Sequence, residues 1–128
     1  MLLGIDYGDK RIGLALAEER GPALPWKILT NSSLQQVLAD LQAIVLAQNV
    51  TTLVVGWPVN MSGQMTERTK ITEVFVQAVR DAINCPVILE DERWSSKIIV
   101  RAGISGVIDD KSAAYILQTY IDRSHVVD

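Results

Sequence analysis

The order in which strand-type and helix-type segments follow one another constrains the fold of this chain more than any other feature. Three short apolar segments come first, and helical and strand segments then alternate towards the end of the sequence. Short connections favour antiparallel neighbours among the first three strands, and helical crossovers favour parallel pairing among the later ones. We therefore predict an α/β fold with a five-stranded mixed sheet flanked by helices. Its first three strands are antiparallel, and strands 1, 4 and 5 are parallel.

The strand segments are short apolar runs bounded by turn-forming residues. They are Leu2–Ile5, Arg11–Ala17, Trp26–Leu29, Leu53–Gly56 and Val87–Leu89.

Helical spacing of apolar residues marks the segments between and after the later strands. A capping box of Ser33 and Gln36 is expected to begin the first long helix. Its predicted apolar face comprises Leu34, Val37, Leu38, Leu41, Ile44 and Val45. The second helix is expected to bury Ile71, Val74, Phe75, Ala78, Val79, Ala82 and Ile83. Two further helices are predicted, one at Lys97–Ala102 and one at Asp109–Asp122, the latter with a buried face of Ala113, Ile116, Leu117, Tyr120 and Ile121.

Composition limits the kinds of site that the chain can build. Its 128 residues, 48% of them hydrophobic, suit a single domain spanning 1–128. The net charge of −3 means that a nucleic acid must be bound by a local basic patch or through bridging cations. One cysteine, Cys85, and one histidine, His125, exclude a disulfide and a cysteine- or histidine-based zinc centre, so any metal site must use oxygen ligands. Without a leader or an apolar run of about 18 residues, we expect a cytoplasmic protein that does not enter a membrane.

Asp6 is the first candidate for chemistry. It directly follows the apolar segment Leu2–Ile5 and is followed by Gly8, so a carboxylate is expected at the rim of the sheet, where a metal ion or phosphate can reach it. The alternative is that Asp6 only caps a turn, since aspartate is a common turn former.

Three other polar segments are expected at the same edge of the sheet. The loop Trp57–Gly63 and the segment Glu90–Arg93 follow parallel strands, whose carboxyl ends meet where ligands usually bind. Asp109 precedes the buried Ala113 by four residues, so its side chain should point towards that edge as well. It could instead be a first-turn acid favoured by the helix dipole. Converging carboxylates repel one another unless a divalent cation or a proton neutralises them.

Four motifs resemble, in order, the signature motifs of the YqgF/RuvX family. They are Asp6-Tyr7-Gly8-x-Lys10-Arg11-Ile12-Gly13, the segment Val54–Gly63 with its Gly-Trp-Pro-x-Asn-Met-x-Gly pattern, Asp91-Glu92-Arg93 followed by Ser95, and the closing segment Asp109–Tyr120. The resemblance covers nearly the whole chain. It implies a ribonuclease H-like fold related to Holliday-junction resolvases, and a nuclease that matures the 5′ end of 16S ribosomal RNA.

Carried over position by position, the family's catalytic acids fall on Asp6, Glu92 and Asp109. The resemblance thus assigns these three as ligands of Mg²⁺ or Mn²⁺, which prefer oxygen donors. Two such ions can activate a water and stabilise the leaving oxygen of a phosphodiester. Asp91 and Asp110 stay open as alternatives, because a register shift of one residue would exchange each with its neighbour.

Four further residues are candidates for binding the substrate. Lys10 and Arg11 could contact substrate phosphates, and the structural alternative is a solvated surface pair. Arg93 could also contact a phosphate, and its structural alternative is an ion pair with a neighbouring acid. Asn60 lies in the loop after the fourth strand, where a plain turn is the default interpretation.

The sequence also departs from the family's pattern. The link between Glu92 and Asp109 is short and has few basic residues, and Asp9 stands where the family often has threonine. Fewer phosphate contacts weaken polyanion binding, which favours a single-stranded RNA end over junction DNA as the substrate. The basic residues of the link are Arg93, Lys97 and Arg101.

Three classes of function therefore stay open. The first is a metal-dependent nuclease acting on ribosomal RNA precursors, with a resolvase of junction DNA as the alternative within the same chemistry. The second is a catalytically inactive protein that binds nucleic-acid machinery. The third, a nucleotide-binding domain of the actin-like type, is disfavoured by length, because such ATPases usually close two domain copies over the nucleotide. The oligomeric state is left open.

Overall fold

The computed structural model describes residues 1–94 and 109–126, without the side chains of Trp94, Asp109, Asp110, His125 and Val126. The helix predicted at Lys97–Ala102 lies outside the described residues.

The described strands form one five-stranded mixed sheet in the order β3-β2-β1-β4-β5. Strand β1 pairs antiparallel with β2 and parallel with β4, β2 pairs antiparallel with β3, and β4 pairs parallel with β5. The predicted sheet is therefore confirmed, and four of its strands extend beyond their predicted ends. Their bounds are Leu2–Tyr7 (β1), Arg11–Ala17 (β2), Leu24–Thr30 (β3), Thr52–Trp57 (β4) and Val87–Asp91 (β5).

Helices pack on both faces of the sheet. Helices α1 (Leu34–Ala47) and α2 (Glu67–Ala82) cover the face on which β1 places Leu3 and Ile5. Helix α3 (Asp109–Val126) covers the opposite face, and a 3-10 turn at Glu92–Trp94 follows β5. Alternation along β1 and β4 separates the two cores, since successive strand residues point to opposite faces. Within the described part of the chain, none of the helices is both long and apolar enough to span a membrane.

Helix α1 begins as the sequence predicts, with one half of the capping box. The Ser33 side chain accepts a hydrogen bond from the backbone N–H of Gln36, at 3.1 Å. The Gln36 side chain donates to Asp40 Oδ1 at 2.9 Å, one helical turn further on. The predicted burial of Leu34 is wrong, because this first residue of the helix is 39% exposed.

The buried face of α2 differs from the prediction. Ile71 and Val74 are 42% and 65% exposed and Ala82 is exposed as well, whereas Thr72 is buried. Thr72 can be buried because its hydroxyl donates to the backbone carbonyl of Arg68 at 3.0 Å, which satisfies its polar atom inside the core. Phe75 lies on the buried face as predicted, and its ring stacks on the ring of Tyr7 in β1 at a centroid distance of 4.1 Å.

Helix α3 packs closely over β1. The predicted start at Asp109 is confirmed, as is the predicted buried face except that Tyr120 is half-buried, and the helix ends at Val126 rather than Asp122. Close approach is possible because β1 has a glycine at position 4. A Cβ on Gly4 would lie 2.8 Å from the carbonyl oxygen of Ala113 and 2.8 Å from Cβ of Leu117.

Candidate active site

A cleft of about 540 Å³ opens at the end of the sheet where β1, β4 and β5 have their carboxyl ends. The sequence predicts that separate polar segments meet at this edge, and the cleft brings together residues from the β1–β2 turn, the loop after β4 and the turn after β5. Its lining residues are Asp6, Gly8, Asp9, Lys10, Arg11, Gly13, Ile28, Pro58, Val59, Met61, Arg68, Glu92 and Arg93.

Asp6 lies inside β1 and is half-buried at the cleft. Its Cα pairs with Gly13 of β2, so the residue belongs to the sheet and does not cap a turn. On the other side of β1, Ile5 pairs with Val55 of the parallel strand β4, and Asp6 and Gly56 are the next residues on these two strands. Asp6 thus has glycine as its neighbour on both adjacent strands. Glycines leave room beside the carboxylate that larger side chains would fill.

Glu92 uses the space above one of these glycines. A Cβ on Gly56 would lie 3.1 Å from the carboxyl carbon of Glu92 and 2.7 Å from Cδ1 of Ile116. The Glu92 carboxyl therefore lies over the strand adjacent to Asp6, and both acids line the same cleft. Two carboxylates that are distant in sequence are thereby brought together, as the sequence predicts.

Asp91, the alternative to Glu92, has a different environment. Nε and Nη2 of Arg93 donate to its carboxylate at 3.0 and 2.7 Å, and the backbone N–H of Arg93 donates to Oδ1 at 2.9 Å. The side-chain hydrogen bond from Arg93 is the main reason that the pKa of Asp91 is lowered. Asp91 is not among the residues that line the cleft, whereas Glu92 is.

Arg93 also holds the loop after β4. Its Nη1 donates to the carbonyl oxygen of Met61 at 3.0 Å. Gly63 in this loop has φ +83°, and a Cβ there would lie 3.1 Å from Nη1 of Arg93. Glycine is therefore required at position 63 both for the left-handed backbone and for the close approach of the arginine.

Asn60 organises the same loop from within. Its Oδ1 accepts hydrogen bonds from the backbone N–H groups of Ser62 and Gln64, at 3.0 and 2.9 Å. Its neighbours Val59 and Met61 line the cleft, whereas Asn60 itself does not. The structure thus places Asn60 beside the cleft, in a position that shapes the loop.

Four cationic side chains border the two acids. Lys10, Arg11 and Arg93 are the residues selected from the sequence, and all three line the cleft. Sequence reasoning missed Arg68, which reaches the cleft from the first turn of α2 and pairs with Asp9 at 2.8 Å. The two partners are 59 positions apart in the sequence. The one signal for this pair is that the chain comes back to the same edge of the sheet after β4, just before α2 begins.

The third predicted acid, Asp109, is the first residue of α3. Its side chain and that of Asp110 lie outside the described part of the structure. Among the described residues, no group of three histidine, cysteine, aspartate or glutamate side chains could hold a metal ion. The assignment of Asp109 therefore stays a prediction.

Comparison with known proteins places the chain in a family. A family model described as "RuvX: Holliday junction resolvase" matches residues 1–123. The chain belongs to the RuvX family. Relatives from Ruminiclostridium cellulolyticum and Geobacillus kaustophilus, each named "Putative pre-16S rRNA nuclease", are both 35% identical to it. The first alignment covers 95% of this chain and 94% of the relative, and the second covers 94% and 96%.

Solved structures confirm the fold of this RuvX-family chain. Thermus thermophilus RuvC in complex with a Holliday junction substrate has a TM-score of 0.64 at 14% identity, covering 97% of this chain and 94% of that chain. A second Thermus thermophilus RuvC structure has a TM-score of 0.62 at 12% identity, covering 98% and 96%. At this identity the likeness concerns the fold alone, and the predicted ribonuclease H-like fold is confirmed.

Proposed function

We propose that this chain, folded as one domain, is a divalent-metal-dependent nuclease that hydrolyses phosphodiester bonds in RNA. The observation that carries the proposal is the convergence of Asp6 and Glu92 in one cleft bordered by cationic side chains. Carboxylates suit metal-assisted hydrolysis, and the surrounding cations suit a polyanionic substrate.

The described donors fit a hard divalent cation. Asp6 and Glu92 offer carboxylate oxygens, the ligands that Mg²⁺ and Mn²⁺ prefer, and the glycine at position 56 leaves the space that the Glu92 carboxyl occupies. We assign Asp6, Glu92 and, from the family resemblance, Asp109 as the residues that would hold the ion. When bound, such an ion favours ionisation of the attacking water and stabilises charge on the leaving oxygen.

The remaining side chains of the cleft bind and orient the substrate. Lys10 and Arg11 are exposed at the rim, where they would contact phosphates and neutralise their charge. Arg93 is held by Asp91, so its guanidinium is fixed between the end of β5 and the loop after β4. Asn60 keeps that loop in shape because its side-chain Oδ1 accepts from the backbone N–H groups of Ser62 and Gln64, which would present Val59 and Met61 to the substrate.

The substrate that we propose is precursor 16S ribosomal RNA, processed at its 5′ end in the cytoplasm. Support comes from the names of relatives that are 35% identical over nearly their whole length. Junction DNA is the second candidate, because the family model is described as a Holliday junction resolvase.

The test is cleavage of a labelled single-stranded RNA that carries the 5′ leader of 16S ribosomal RNA, in the presence of Mn²⁺. We expect Asp6→Asn and Glu92→Gln each to lower the rate at least about 100-fold, because each removes a charged oxygen ligand. Asp40→Asn, the same type of change in α1 away from the cleft, serves as the control and should cut at the wild-type rate. Equal background cleavage by the wild type and Asp6→Asn would contradict a nuclease. Cleavage of a four-way DNA junction but not of the RNA would favour the resolvase.

A further inference from the structure

Arg68 lies in the cleft and is held there by two acceptors from the β1–β2 region. Its Nη2 donates to the backbone carbonyl of Tyr7, the residue after Asp6. Its Nη1 donates to Oδ1 of Asp9 at 2.8 Å. Within the described residues these are the hydrogen bonds of its guanidinium, which has five N–H donors. Arg68 can therefore donate to a further oxygen while its bond to Tyr7 keeps it in the cleft that Asp6 and Glu92 also line.

The partner Asp9 is held much less firmly than the arginine. The Asp9 side chain is 73% exposed, against 38% for Arg68. An exposed ion pair of this kind contributes little to stability, so exchange of the carboxylate for another anion costs little. Carboxylate and phosphate oxygens accept from an arginine in the same geometry.

We propose that Arg68 is a phosphate-binding residue of the cleft and that Asp9 occupies the position of a phosphate in the free protein. The proposal rests on the proposed nuclease function and adds one substrate contact to it. Nucleic acid displaces Asp9 from Arg68, while the bond to the Tyr7 carbonyl keeps the guanidinium in the cleft. Asp9 thereby lowers affinity for nucleic acid through competition for one arginine.

The test is a double-mutant cycle on binding of fluorescent single-stranded RNA, measured by anisotropy with Ca²⁺ in place of Mn²⁺ so that the RNA stays intact. Asp9→Asn should tighten binding about two- to fivefold, the equivalent of one exposed ion pair. Arg68→Gln should weaken binding and lower the slope of log K against log salt concentration by about 0.7, the loss of one phosphate contact on a single strand.

Glu67→Gln is the matched control. It removes the same charge from the residue next to Arg68 in α2, and Glu67 is exposed and outside the cleft lining. If Asp9 acts through Arg68, then in the Arg68→Gln background Asp9→Asn should have only the effect of Glu67→Gln. Arg68→Lys keeps the positive charge and serves as the conservative variant of Arg68→Gln. Thermal unfolding of each variant shows whether a change in binding reflects a folding defect.

Equal tightening by Asp9→Asn with and without Arg68 would overturn this inference and leave the nuclease proposal intact. An unchanged salt slope in Arg68→Gln would also overturn it. A wild-type chain that neither binds nor cuts RNA or junction DNA would overturn the proposed function together with this inference.

Discussion

Two glycines, Gly4 and Gly56, lie beneath α3. Substituting each with alanine tests separately how helix packing contributes to stability and how the position of Glu92 contributes to the rate of cleavage. A Cβ on Gly4 would meet the carbonyl oxygen of Ala113 and Cβ of Leu117, both at 2.8 Å. A Cβ on Gly56 would meet Cδ1 of Ile116 at 2.7 Å and the Glu92 carboxyl carbon at 3.1 Å. The first position is blocked by atoms that cannot move without the helix, and the second by the ends of flexible side chains.

The stability effects of alanine at these positions should differ accordingly. Overpacking costs about 1–3 kcal/mol, while alanine gains about 0.5–1 kcal/mol over glycine in a strand. Gly4→Ala falls at the upper end of the first range, because the helix backbone must move, so we expect a net loss of about 2 kcal/mol. Gly56→Ala falls at the lower end, because Ile116 can change its side-chain conformation, so we expect a net change within about 1 kcal/mol of zero.

The effects on rate should run in the opposite order. At Gly56 the new methyl group must push the Glu92 carboxyl by a few tenths of an ångström. Because misplacement by about 1 Å can cost about 100-fold in rate, we expect Gly56→Ala to lower kcat/KM roughly tenfold. Gly4→Ala meets α3 and not Glu92, so it can lower the rate only through the movement of the helix, and we expect a loss clearly smaller than that of Gly56→Ala.

Urea unfolding and Mn²⁺-dependent RNA cleavage, both at 15 °C, measure the two quantities on the same samples. The reasoning is refuted if folded Gly56→Ala cleaves at the wild-type rate. It is equally refuted if Gly4→Ala loses rate to the same extent while its unfolding transition shows that it is folded.

Three further predictions concern stability. The pKa of Asp91 is lowered by Arg93, so this ion pair stabilises the fold above pH about 4, and its contribution is lost as the pH falls through the lowered pKa. The difference in unfolding free energy between the wild type and Asp91→Asn should therefore become smaller between pH 5 and pH 2, and a constant difference would contradict this. Arg123→Ala should lower the free energy of urea unfolding by about 1–3 kcal/mol, because it leaves the 4% exposed Glu90 without the bond that Arg123 Nη2 donates at 2.6 Å. Adding Glu90→Gln should recover part of this loss, and the absence of any recovery would refute that cause. Phe75→Ala should cost about 3–5 kcal/mol in the same assay, because its side chain is 1% exposed, and a loss below about 1 kcal/mol would show that the site collapses around it.

The sheet could be predicted from the sequence because its signals are local. Short connections and helical crossovers determine which strands are antiparallel or parallel, and both are visible along the chain. The face of α2 could be predicted only in part: Phe75 and Val79 are buried as expected, but apolar Ile71 and Val74 are exposed while Thr72 is buried. The burial of Thr72 depends on the bond from its hydroxyl to the Arg68 carbonyl, which a hydrophobicity pattern does not contain.

Part of the site could be predicted from the sequence in the same way. Asp6 and the acidic segment Glu90–Arg93 follow from apolar strands that lead into acids, whereas the choice of Glu92 within that segment came from the family resemblance; Asp6 and Glu92 both line the cleft. The sequence could not show how the surroundings of Asp91 and Glu92 differ, because the difference depends on where β5 ends and on the pairing of Asp91 with Arg93. The contact between Arg68 and Asp9 joins two segments that come together only after α2 packs on the sheet.

The cleft and the packing of α3 depend on each other through Gly56. The residue on the α3 side that faces this glycine is Ile116, and the residue on the cleft side is Glu92. A shift of α3 along the sheet would move Ile116 and thus change the space that is left for the Glu92 carboxyl. The same helix begins at Asp109, and its position over β1 is set by Ala113 and Leu117 against Gly4. Substitutions that loosen α3 should therefore lower the rate of cleavage before they unfold the chain, since the placement of Glu92 and the start of α3 depend on the same contacts.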